Sequence, residues 1–113
     1  MKTPEARVKE GVRKWLKTIG AYRFSPVQMG IGSPTLDDLC CIFGQFVAIE
    51  YKAPGKKLTP RQELTVAAIR RAGGIVVWGD SFESIFNGIK SELAKIKHVT
   101  PMKLESGALV HPR

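Results

Sequence analysis

"FVAIEYKAPGKKLTPRQ", residues 46–62, decides the fold. Phe46-Val47-Ala48-Ile49 is an apolar run of the kind that forms a buried strand. Glu50 and Lys52 follow two residues apart, so on a strand their side chains share a face. Pro54-Gly55 is a turn signal. Thr59 then suits a helix cap, Pro60 the first helical position and Gln62 the capping-box partner. The stretch reads as strand, turn, helix. A carboxylate and an ammonium stand on one side of the strand where the apolar run ends.

Upstream, "LDDLCCI" (36–42) reads as a strand, and "FGQ" joins it to the next one tightly enough for an antiparallel hairpin. "AYRFSPVQ" (21–28) reads as a first strand whose pairing Pro26 limits, and "MGIGSPT" (29–35) as a flexible loop. Residues 3–19 form a helix in this reading. Thr3 caps it, Pro4 opens it, and Val8, Val12, Trp15, Leu16 and Ile19 fall on one face before Gly20 stops it. Downstream, the helix opened by Thr59 runs to about Ala72 and stops at Gly73-Gly74. "IVVW" (75–78) is a short buried strand. Residues 81–96 are a third helix, with Ser81 as cap and Phe82, Ile85, Ile89 and Leu93 on its apolar face. The order is αβββαβα, an α/β fold with a mixed sheet flanked by helices. Residues 97–113 show no period and read as a mobile tail behind one domain spanning 1–96.

A chain of 113 residues, 43% of them apolar, supports one modest core. No apolar run approaches the ~20 residues of a membrane span, and the N-terminus is too charged for a signal peptide. The expectation is a soluble cytoplasmic protein. Cys40 and Cys41 are neighbours on a strand and point to opposite faces, so no mutual disulfide is expected; both read as buried free thiols. Trp15 and Trp78 read as core. The net charge of +8 favours a polyanionic partner. Its distribution is uneven. Between Phe24 and Tyr51 there is no Lys or Arg, and the only charges are Asp37, Asp38 and Glu50.

Asp37 precedes Glu50 by 13 residues, a spacing that brings the two close in a short-turned hairpin. Paired carboxylates at a strand end make a hard oxygen site suited to Mg²⁺ or Mn²⁺, and a cation relieves their repulsion. Lys52 beside them can orient or deprotonate an attacking water, or neutralise charge on a phosphate.

Asp, hairpin, then Glu-x-Lys resembles the PD-(D/E)xK nuclease superfamily. "TLDDLCCIFGQFVAIEYKAPGKKLTPRQ" (35–62) followed by "AGGIVVWGD" (72–80) is similar to its virus-type replication-repair nuclease domain, VRR-NUC, in the small stand-alone phage form. The likeness covers roughly residues 3–90 and implies a restriction-endonuclease-like core. It implies a metal-dependent DNA endonuclease in which Asp37 and Glu50 bind Mg²⁺ or Mn²⁺ with the backbone carbonyl of Tyr51. Lys52 would be the catalytic lysine, and Gln62 would support the site. A glutamate on the first helix would lie near the metal. The likeness further implies action on branched, Holliday-junction-like DNA by a homodimer.

The family's usual Pro-Asp is here Leu36-Asp37, with Pro34 displaced and Asp38 adjacent. Spacing favours Asp37; a bulge would exchange the two. Glu5 shares the inward face of Val8 and Val12, whereas Glu10 lies about 200° around from Val8, so Glu5 is preferred. Lys56, Lys57 and Arg61 are the expected DNA contacts, while Arg70 and Arg71 suit the far helix end. "MGIG" lacks the P-loop's Lys-Ser/Thr, so no nucleotide cofactor is expected. Tyr22 and Phe24 read as structural unless exposed, in which case they can stack on bases. Two other readings fit these residues: a nucleic-acid-binding module without catalysis, and a nuclease acting on RNA.

Overall fold

A computed structural model of the chain describes residues 2–27 and 34–96. Most of the expected Gly-rich loop and all of the expected tail lie outside the described residues. Seven elements follow one another: α1 (Pro4–Thr18), β1 (Tyr22–Phe24), β2 (Asp38–Ile42), β3 (Gln45–Tyr51), α2 (Pro60–Arg71), β4 (Ile75–Gly79) and α3 (Phe82–Ala94). The strands form one sheet in the order β1-β2-β3-β4. β1/β2 and β2/β3 are antiparallel, and β3/β4 are parallel, joined through α2. This is the expected α/β architecture, a mixed sheet flanked by helices.

Local chemistry explains the element ends. Thr3, Thr59 and Ser81 each accept a hydrogen bond from the main chain inside the helix they cap. In the β2–β3 hairpin Ile42 pairs with Gln45, leaving a two-residue turn. Its residues Phe43 and Gly44 have φ of 49° and 83°, as a type I′ turn requires. Phe43 accepts that backbone while its ring is buried in the core.

The sheet has two differently covered faces. Val47, Ile49 and Tyr51 of β3 join Cys40 and Ile42 of β2 under α1 and α3, which supply Val12, Leu16, Ile19, Ile85, Ile89 and Leu93. On the other face Ala48 and Val76 pack against Val66 of α2, with Leu36 and Leu39 beside them. Among the described residues, α2 is the only helix that covers this second face. The β1 residues Tyr22 and Phe24 are exposed at 71% and 55%, and they pair with Cys41 and Leu39 on the same uncovered side.

Three expectations are corrected by that half-covered face and by the sheet's edge. Cys40 is buried but Cys41 is exposed, because Cys41 points to the side that α2 does not reach. Trp78 is 37% exposed rather than core, since β4 is an edge strand. Tyr22 and Phe24 are not packed in the core. The first strand is also shorter than expected, stopping at Phe24; Ser25 turns its hydroxyl toward Asp38, and Pro26 has no N–H to donate. Trp15 does pack, edge-on to Phe86.

Candidate active site

Strand alternation puts Glu50 on the α2 face and Tyr51 on the α1/α3 face. Asp38 pairs with Ile49, so Asp37, one residue earlier, comes opposite Glu50. The main chain and carboxylates interlock there. Asp37 N–H donates to Glu50 Oε1 at 3.1 Å. Tyr51 N–H donates to Asp37 Oδ2 at 2.9 Å.

From α2, Gln62 Nε2 donates to Glu50 Oε2 at 2.8 Å. Gln62 Oε1 accepts from Lys52 Nζ at 3.1 Å and from Thr59 N–H at 3.0 Å. Gln62 therefore closes the capping box of α2 and bridges the carboxylate to the ammonium. The expected group of Asp37, Glu50, Lys52 and Gln62 is brought together on one side of the sheet. Gln62 couples the helix start to the end of β3.

Glu50 is only 4% exposed. Burial pushes its carboxyl up to about 7, the charge of Asp37 adds to the rise, and Lys52 opposes it. Glu5 also contributes a small upward push, so α1 brings it within electrostatic reach of Glu50. Glu10 is turned away, exposed and ion-paired with Lys2. Of the two helix glutamates, Glu5 is the one whose charge acts on Glu50.

The neighbouring acids separate by face. Asp38 is fully buried on the opposite side from Asp37. It accepts from Arg13 Nε at 3.0 Å and Nη2 at 2.8 Å, from Ser25 Oγ at 2.6 Å and from the Tyr51 hydroxyl at 2.6 Å. Burial alone would raise its carboxyl, but these donors outweigh burial and hold it below the usual range. Asp38 is a paired charge inside the core, not a partner of Glu50. The residues that satisfy it, Arg13 and Ser25, carry no recognisable signature in the sequence.

A basic turn adjoins the carboxylates. Lys52 N–H donates to Gly79 O at 2.9 Å, extending the β3–β4 ladder by one bond. Lys56 N–H closes a turn onto Ala53 O at 3.0 Å, with Gly55 at φ 78° as the residue after proline in such a turn prefers. Asp80 Oδ2 accepts from Gly55 N–H at 2.9 Å and ties the turn to the end of β4. Lys56, Lys57 and Arg61 are all exposed. Arg70 instead donates to the Val76 carbonyl on β4 at 3.2 Å.

The donor set can be tested against a divalent cation. Among the described residues no three His, Cys, Asp or Glu side chains converge, so a closed transition-metal site is not built. Two carboxylates beside a strand-end carbonyl match instead a hard cation that keeps several of its waters. Burial first, and then the charge of Asp37, raise the Glu50 carboxyl, and a cation bound between the two acids would relieve that repulsion.

Beyond Arg61 an apolar groove of about 600 Å³ runs along the sheet, lined by Leu39, Phe46, Leu64, Ala68 and Ile69. No helix among the described residues is long and apolar enough to cross a membrane.

No family model matches the chain, and no curated protein does. A solved structure does: a VRR_NUC domain, 21% identical, superposes with a TM-score of 0.66 over 86% of this chain and 100% of that one. The chain therefore has the fold of a VRR_NUC domain.

Proposed function

We propose that this protein is a metal-dependent endonuclease that hydrolyses DNA phosphodiesters, acting on branched, Holliday-junction-like DNA as a homodimer. The observation carrying this reading is the single side-chain group in which Asp37, Glu50 and Lys52 share a face and Gln62 bridges acid to amine. The shared VRR_NUC fold supports it.

Asp37, Glu50 and the Tyr51 carbonyl would hold Mg²⁺ or Mn²⁺, with Glu5 approaching from α1. When bound, the cation polarises phosphate oxygens and lowers the pKa of water at the site. The chain's own residues do the rest. Asp37 is held by the Tyr51 N–H and Glu50 by the Asp37 N–H, so the carboxylates are oriented before substrate arrives. Lys52 Nζ, aimed by Gln62 Oε1, meets the negative charge that builds on the scissile phosphate. Lys56, Lys57 and Arg61 take flanking phosphates, which positions the strand without reading its sequence. The test is incubation of the protein with a four-way junction, a flap, plain duplex and single-stranded RNA, each with Mg²⁺, Mn²⁺ or EDTA. Cutting of the junction that requires the metal is expected. Cutting of RNA alone would replace the substrate, and binding without cutting would leave a nucleic-acid-binding module.

The homodimer has a physical basis in the uncovered sheet face. A chain of charge +8 repels its own copy except through a surface free of cations. Phe24 to Tyr51, which contains no Lys or Arg, supplies the strand side of that surface, and Arg61 borders the groove. The exposed Tyr22 and Phe24 form an apolar ridge on the same side of the sheet as the groove of Leu39, Phe46 and Leu64. Ridge and groove on one face suit a two-fold interface. Phe24→Asp with Leu64→Asp is expected to reduce the light-scattering mass from twice the 12.5 kDa chain to one chain, with the far-UV spectrum retained. A wild-type mass of one chain would exclude the dimer.

A further inference from the structure

Two adjacent aspartates grip one tyrosine from opposite sides of the sheet. Asp37 takes the main-chain N–H of Tyr51 at 2.9 Å. Asp38, pointing the other way, takes the Tyr51 hydroxyl at 2.6 Å. Asp38 is itself fixed by Arg13 of α1 and by Ser25, which follows β1. Lys9 and Arg13 of α1 also lie over the Tyr51 ring, at 5.7 and 6.0 Å from its centroid. Contacts from α1, from the segment after β1 and from β2 thus converge on the last residue of β3.

That residue is the one on which the candidate site turns. Its N–H orients Asp37, its carbonyl is the one proposed above to join the cation's ligands, and its two neighbours are Glu50 and Lys52. The Tyr51–Lys52 peptide is tied to β4 by Lys52 N–H to Gly79 O at 2.9 Å, and the Tyr51 hydroxyl adds a second anchor, to β2. A buried ion pair is a poor source of stability, because an apolar group of the same shape serves about as well. Here Asp38 is fully buried and Arg13 is 30% exposed, and what their network holds in place is the Tyr51 hydroxyl.

We infer that the Asp38–Tyr51 hydroxyl contact is a positioning element, holding the Tyr51 peptide so that Asp37 and the carbonyl keep their orientation toward a divalent cation. This rests on the metal-dependent reading above. Asp38 and the hydroxyl touch neither cation nor substrate; they act through the Tyr51 main chain.

The test compares wild type, Tyr51→Phe and Ser25→Ala as full chains. Tyr51→Phe deletes only the hydroxyl, while Ser25→Ala removes a different Asp38 partner and serves as the stability control. Both are expected to lower the melting temperature, by roughly 10 °C or less. In Tyr51→Phe alone, the residue-51 amide should exchange about tenfold faster relative to the Ile49 amide by NMR. Mn²⁺ titrated by calorimetry should bind that variant about tenfold more weakly. Unchanged residue-51 exchange and unchanged Mn²⁺ affinity in Tyr51→Phe would overturn the inference, as would equal changes in Ser25→Ala. If Tyr51→Phe does not fold, Asp38→Asn, which weakens the same hydroxyl contact from its other side, takes its place with the same two readouts: both changes support the inference, and neither overturns it. No Mn²⁺ heat in the wild type would instead overturn the metal reading, and the amide exchange would still decide whether the hydroxyl holds the peptide.

Discussion

Lys52→Ala should lose junction cutting by about 10² to 10³-fold while binding the junction nearly as tightly as the wild type. The size follows from deleting one preorganised charge aimed at a developing oxyanion, typically about 3 to 4 kcal/mol of transition-state stabilisation. Binding should persist because Lys52 is one cation among several, with Lys56, Lys57 and Arg61 exposed beside it. The fold should persist too. Gln62 Oε1 keeps its bond from Thr59 N–H at 3.0 Å, so the capping box of α2 survives the loss of the lysine. Turnover and gel-shift affinity measured on one preparation check this. Equal loss of both would sink the catalytic role given to Lys52 and make it a binding residue. Lys56→Ala with Lys57→Ala should behave oppositely, weakening binding and lowering its salt slope by about one per lost phosphate contact.

Glu50→Gln is expected to abolish metal-dependent cutting and, at the same time, to remove a pH dependence of stability. The Glu50 carboxyl is raised from 4.5 to about 7, first by burial and then by the charge of Asp37. A raised carboxyl means that the folded state holds its proton more tightly than the unfolded chain. Stability from this group is therefore fully present below about pH 4.5 and is lost as pH rises through about 7. The loss for this one residue is on the order of 3 kcal/mol. The amide variant is flat across that window. It does carry a cost. Glu50 accepts from both the Asp37 N–H and Gln62 Nε2, and the single oxygen of glutamine can serve only one of them, at about 1 kcal/mol. At pH 8 without metal the variant should thus melt at or above the wild type, and at pH 5 below it. Adding Mn²⁺ at pH 8 should raise the wild-type melting temperature and leave the variant unmoved. A wild type equally stable at pH 5 and pH 8, with no response to Mn²⁺, would contradict the strained carboxylate pair.

Much of this arrangement is written in short-range signals. The hairpin follows from Phe43-Gly44 between two apolar runs, and the helix starts follow from Thr3, Thr59 and Ser81. Glu50 and Lys52 share a face because strands alternate, and the same rule sends Asp37 and Asp38 to opposite sides. Gln62 is legible twice, as capping-box partner and as a site residue, and both sets of its bonds are present in the fold. What the sequence hides is set by long-range packing. Cys41 and Trp78 look like core because their neighbours are apolar, yet α2 covers only part of its face and β4 is an edge. The Asp38 network is invisible because Arg13 and Ser25 lie 25 and 13 residues away. No local pattern marks a helix arginine that will meet a strand aspartate. Asp80 is hidden for the same reason: its partner Gly55 is brought to it only when β4 lines up beside β3.

The most direct test of the central claim is a single cleavage time course on a four-way DNA junction with purified wild-type protein, in Mg²⁺, in Mn²⁺ and in EDTA. The account predicts strand cutting in one or both metals and none in EDTA. Cutting that persists in EDTA, or no cutting in either metal while the junction is bound, would contradict it.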